Sequence, residues 1–167
     1  MTEDASRTNQ SGLMFMDEDI LKPEHDQMLL WLDDNIESLI NSVIYPNMTT
    51  EQIADFLETE PDIKRTWQQP IKSATGQIVG FVDMVVSYDR VDAAEHISKV
   101  FFLDVRAEIP SLGALIREIN TYKLYLGFED SWIYSYVVIG PDDRYANILQ
   151  AQGITSWPYP VGAKEAK

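Results

Sequence analysis

The chain has 167 residues, 45% of them apolar, which suits one domain with a sizeable core. It has no cysteine, so disulfides, zinc–thiolate sites and thiol catalysis are excluded, and with only His25 and His96 a histidine-rich metal site is not expected. The net charge of −14 sits at the front: residues 1–60 carry 14 acidic against two basic side chains, residues 61–167 carry 13 against 11. Such a chain lacks the basic stripe with which general nucleic-acid binders meet phosphate. Residues 1–12 have neither the basic n-region nor the apolar h-region of a secretory signal, and no stretch approaches a membrane span, so a cytoplasmic protein without membrane contact is expected.

Residues 1–20 read as a flexible acidic arm, 21–160 as a single α/β domain and 161–167 as a tail. From Pro23, apolar residues recur at Met28, Leu29, Leu32, Ile36, Leu39, Ile40, Val43 and Ile44, an amphipathic helix halted before Pro46. Thr49 with Gln52 has the spacing of a capping box and opens a short helix that Pro61 closes. Three strands follow, about 64–72, 78–88 and 99–109; Pro70 marks the first as an edge or a strand end. Ser111 caps the next helix, whose stripe is Leu112, Leu115, Ile116, Ile119, Tyr122 and Leu126 and which ends at Gly127. A fourth strand spans Trp132 to Ile139, Asp142 caps a last helix that stops at Gly153, and Ile154 onward adds a short strand. This order is a mixed α/β sandwich.

Within it, Asp83 and Asp104 are each embedded in an apolar run, where a bare carboxylate is costly unless paired, hydrogen-bonded or bound to a cation. A loop centred between residues 93 and 94 pairs residues whose numbers sum to 187, and these two satisfy that register. It places them opposite one another on one face, with Cβ atoms roughly 4.5–5.5 Å apart. Arg106 and, further on, Glu108 fall on the same face as Asp104 by alternation. Two readings stand: a divalent-cation site, or a structural ion-pair cluster. Arg117 either meets phosphate or solvates its helix, and Lys123, one turn on, is the nearest candidate for an additional ammonium.

The pair on the second and third strands, followed by Glu118-Ile119-Asn120-Thr121-Tyr122 on a helix, resembles the PD-(D/E)xK nuclease superfamily. Its members share an αβββαβ core, an Asp on the second strand, D/E-x-K on the third and, in one branch, Q-x-x-x-Y on the next helix. The stretch 107–122 and the closing Ile139-Gly140-Pro141-Asp142-Asp143-Arg144-Tyr145 are similar to small nuclease-like proteins of phages and bacteria, so the likeness spans about residues 22–158. The resemblance implies a mixed sheet with an αβββαβα restriction-endonuclease-like core and a Mg²⁺- or Mn²⁺-dependent DNA nuclease. It makes Asp83, Asp104 and Glu118 the metal ligands, places Arg106 where the family has lysine, and adds Tyr122 to the catalytic set. Arginine stays protonated and cannot act as a base, so a weakened enzyme is one expectation. Another is an inactive relative whose acidic first sixty residues bind a protein partner or imitate DNA to block a defence protein. A virion component is a third. With so few basic residues, DNA contact would be weak unless a partner supplied positive charge.

Overall fold

The computed structural model describes residues 23–57, 59–91, 96–126, 133–141 and 143–160. The expected arm, the Gly127 helix end, Trp132, the Asp142 cap and the tail lie outside them. Helix α1 (Pro23–Ile44) follows its apolar stripe, with Met28, Leu32, Ile36, Leu39 and Ile40 buried. Helix α2 (Thr50–Phe56) carries the expected capping box: Thr49 Oγ1 accepts from Gln52 N–H, and the Gln52 side chain accepts from Thr49 N–H. It ends at Phe56, with Leu57 as its C-cap.

Strands β1 (Asp62–Lys72), β2 (Ile78–Val91) and β3 (His96–Val105) form an antiparallel meander. Helix α3 (Leu112–Tyr125) leads to β4 (Ile133–Gly140), and α4 (Ala146–Ala151) leads to β5 (Ile154–Pro158). The five strands lie in chain order, with β4 parallel to β3 and β5 parallel to β4. Pro70 sits on an edge strand, where proline is tolerated. Ser111 Oγ caps α3 by accepting from Ala114 N–H, as expected. Helix α4 starts at Ala146 with Tyr145 before it and no side-chain cap.

The sheet separates two apolar layers. One side packs Met84, Val86, Tyr88, Phe101, Leu103, Val105, Val137 and Ile139 against α1. Trp31 of α1 meets Trp157 at 5.3 Å and Tyr159 at 5.1 Å between ring centroids, pinning the helix to the β5 edge. At the far end the buried Arg90 guanidinium lies against the rings of Tyr45 and Phe56, at 5.7 and 5.5 Å, and joins the α1–α2 corner to the β2–β3 hairpin. The other side packs Ile71, Val82, Phe102, Tyr136 and Val138 against Leu115, Ile119 and Tyr122 of α3 and Leu149 of α4.

Strand β3 ends at Val105, four residues earlier than expected, so the alternation that put Glu108 beside Asp104 does not reach it. A second irregularity matters more. Val82 belongs to the α3 layer and Met84 to the α1 layer, although alternate residues of one strand normally share a face. The turnover falls at Asp83. On β1 the ladder runs through Trp67↔Met84 and Gln69↔Val82, and the intervening Gln68 has φ 48, a left-handed conformation that costs a side-chain-bearing residue about 1–2 kcal/mol. Both strands therefore turn over together, and this places Gly80 beneath α3. A Cβ there would overlap the Tyr122 ring and hydroxyl. Gly80→Ala should lower stability by about 1–3 kcal/mol in urea denaturation by displacing that ring; an unchanged midpoint would show that Tyr122 does not rest on the glycine.

Candidate functional site

The register of the β2–β3 hairpin is the expected one, with every pair from Met84↔Leu103 to Val91↔His96 summing to 187. Asp83 stands one step past the last of these pairs, at the turnover. Its Oδ2 accepts the Val105 N–H at 2.7 Å. A strand N–H lies in the plane of the sheet, so this carboxylate reaches across the gap between β2 and β3 and takes the place of a ladder carbonyl. Its Oδ1 faces His25 Nε2 of α1 at 3.5 Å.

Asp104, near the end of β3, is buried. Arg106 folds back onto it: Nε and Nη2 both lie 2.9 Å from Asp104 Oδ2. The same Nη2 is 3.0 Å from Glu118 Oε1 on α3, and the Tyr122 hydroxyl donates to that oxygen at 2.7 Å. Glu118 and Tyr122 are four apart, so they project from one face of the helix. The β3 end and α3 thus bring Asp104, Arg106, Glu118 and Tyr122 into one bonded chain, with Asp83 beside it across the strand gap.

The charges are strongly coupled. Burial pushes the Asp104 carboxyl up to about 7, against the opposing pull of Arg106, and the negative charge of Asp83 adds to the rise. Burial also works against the Arg106 cation, but Asp104 and Glu118 more than offset it and the guanidinium is held protonated. The Tyr122 phenol is raised by burial and by its bond to Glu118. His25 is raised by its contact with Asp83, burial opposing.

Other residues considered from the sequence lie apart. Lys123 Nζ is 3.4 Å from the Gln152 carbonyl, towards α4, and does not complete the Asp104 cluster. Arg117 is exposed. His96 forms a separate exposed group in which Asp89 Oδ1, at 2.8 Å, and Ser98 Oγ, at 2.9 Å, meet the same ring nitrogen, Nε2. A relay needs the acid and the hydroxyl on opposite nitrogens, so this is not a nucleophile triad. Sequence reasoning missed His25, to which it gave no part in the site. Its signal was the stripe itself: 25, 28, 32 and 36 lie on one helical face, and the histidine continues the buried side of α1.

In kind, the three carboxylates suit Mg²⁺ or Mn²⁺, which take oxygen ligands. In place, the Arg106 guanidinium bridges Asp104 and Glu118, and among the described residues no three acidic or histidine side chains converge as a metal-holding group. No protein-family model, curated protein or solved structure matches the chain. Among the described residues no helix is long and apolar enough to cross a membrane.

The raised carboxyl carries a pH signature. In the unfolded chain Asp104 titrates near its ordinary value of about 4. Between there and about 7 the folded chain keeps a proton that the unfolded chain has lost, so stability falls as pH rises through this window. His25 acts in the same direction at higher pH: its contribution is complete below 6.5 and is lost as pH rises through its raised value. Melting curves from pH 4 to 6.5 should therefore slope downward in the wild type and flatten in Asp104→Asn, by an amount on the order of a few kcal/mol across the window. Parallel slopes for the two proteins would mean that Asp104 is ionised in the fold throughout.

Proposed function

We propose that this chain is a PD-(D/E)xK-type protein of phage or bacterial nucleic-acid metabolism, a metal-dependent DNA nuclease weakened by an arginine that holds its own carboxylates. The observation that carries this reading is the convergence, at one end of the sheet, of Asp83 from β2, Asp104 from β3, Arg106 just beyond it, and Glu118 and Tyr122 from α3. These residues lie far apart in sequence and meet where a β2–β3 hairpin opens under a helix. A divalent ion, when bound, would polarise a phosphodiester and make a water more acidic. The remaining chemistry belongs to the chain. Asp83, Asp104 and Glu118 would hold the ion; Arg106 stabilises negative charge but transfers no proton. Without an ion, burial pushes the Asp104 carboxyl up to about 7, so cation binding there would displace a proton.

Arg106 competes for the same oxygens that a cation needs. A buried carboxylate satisfied by two guanidinium donors releases them at considerable cost, and breaking such a pair is worth about 3–5 kcal/mol. Weak cation affinity follows. This bridge also supports the second reading, an inactive relative in which the arginine has replaced the metal and the acidic front of the chain serves as a protein-binding surface.

Titration with Mn²⁺ or Mg²⁺ tests the site. The wild type should show a cation-dependent rise in melting temperature that is absent in Asp83→Ala. Arg106→Lys, which replaces a bridging fork with a single ammonium, should bind the cation more tightly and raise cleavage of single- or double-stranded DNA, by an amount on the order of 10²-fold. No cation response in either protein, with cleavage unchanged or lost in Arg106→Lys, would leave the inactive relative.

A further inference from the structure

One side chain around the carboxylates has a role in none of the above. Tyr136 of β4 pairs with Phe102 of β3, two residues before Asp104, and belongs to the layer beneath α3. Its ring stacks on Phe102 at 6.2 Å and is only 3% exposed. Phenylalanine would satisfy that packing. The hydroxyl is buried, and no described residue hydrogen-bonds it, a condition that costs free energy in any fold that keeps it. The ionisable groups that act on it are those of the site: Asp104 first, then Tyr122, Arg106 and Glu118. Burial and the nearby carboxylates raise its pKa, so it is held as a donor.

The β3–β4 ladder, with Phe102↔Tyr136 and Asp104↔Val138, sets Tyr136 diagonal to Asp104 on the α3 side of the sheet, so a lone buried donor beside acidic groups needs a partner that accepts from it and donates to them. The cluster holds three carboxyl groups, Asp83, Asp104 and Glu118, against the single guanidinium of Arg106, which disfavours an anion such as phosphate in that position. Water has the required valence, since a buried water typically makes two to four bonds to otherwise unsatisfied polar groups. We propose that Tyr136 is a positioning residue of this site, its hydroxyl donating to a buried water that in turn donates to the Asp104 and Glu118 carboxylates. As a device for orienting a hydrolytic water this rests on the nuclease reading; as a hydrogen bond to a held water it does not.

A double-mutant cycle separates the two. Tyr136→Phe should lower the melting temperature by roughly 2–4 °C in the wild-type background and have no effect in Asp104→Asn, because the two residues share one water. A high-resolution crystal structure of the wild type should show that water within about 3.2 Å of Tyr136 Oη and of an Asp104 or Glu118 oxygen. A Tyr136→Phe change of the same size in both backgrounds, in either direction, or density with no water in reach of the hydroxyl, would overturn the assignment. If the wild type cleaves DNA, Tyr136→Phe should reduce kcat with KM unchanged; an unaltered kcat would overturn the hydrolytic role alone. Absence of cleavage and of any cation response in the wild type would instead defeat the nuclease reading, leaving the water to be judged by the cycle and the density.

Discussion

The burial of the Asp104 carboxylate near the end of β3 is the constraint around which this part of the molecule is organised. A carboxylate removed from water either takes up a proton or finds donors. Arg106 supplies two of them to a single oxygen and spends another contact on Glu118. Lysine, a point charge on a flexible stem, has no comparable fork. The reach of the guanidinium thereby ties the strand end to α3, and Tyr122 extends the tie to the Gly80 backbone beneath the same helix.

Opposite this network the sheet comes apart in an orderly way. Beyond the pair Met84↔Leu103, β2 leaves β3, and the Asp83 side chain serves Val105 N–H where a backbone carbonyl would otherwise stand. The turnover requires β1 to follow, with Gln68 in a left-handed conformation. Strain of this kind persists where the surroundings over-determine it, and it commonly accompanies functional sites. Here it stands across from Asp83, whose second oxygen is turned towards His25. Two apolar layers on either side of the sheet, one led by α1 and the other by α3, hold the two halves of the polar group in fixed relation.

The consequence for function is a contest over the same oxygens. The Arg106 guanidinium is engaged with Asp104 and Glu118, and among the described residues no three acidic or histidine side chains converge as a metal-holding group. On the reading proposed above, a divalent ion would have to displace this guanidinium from the same oxygens. The acidity of the first sixty residues gives that part of the chain little with which to attract DNA phosphate.

Much of the secondary structure was legible in the residues. The stripe of α1, the Thr49 and Ser111 caps, the edge position of Pro70 and the hairpin register all follow from periods and cap chemistry that act over a few positions. Loop symmetry alone gave the hairpin register, but the ladder stops at Met84↔Leu103, short of the expected Asp83–Asp104 pair, and the Asp83 side chain turns into the strand gap to accept from Val105 N–H. The early end of β3 was not legible, since 106–109 alternate as a strand would and only the departure of the chain towards α3 stops the pairing. Nor was the turnover at Asp83, which depends on two strands and the packing of Tyr122. His25 lay in view on the α1 stripe, but its partner is 58 residues away; Tyr136 carried no signal beyond its place in an apolar run.

By itself, then, the sequence determined the elements, their order, the exclusion of thiol chemistry and the register of the β2–β3 hairpin, because each rests on local periodicity or composition. Tertiary structure alone decided that Arg106 bridges Asp104 to Glu118, that Asp83 turns into the strand gap, and that a tyrosine hydroxyl is buried beside them. Those outcomes depend on which distant surfaces pack together and on the rotamer each side chain is left, quantities that no short window of residues contains.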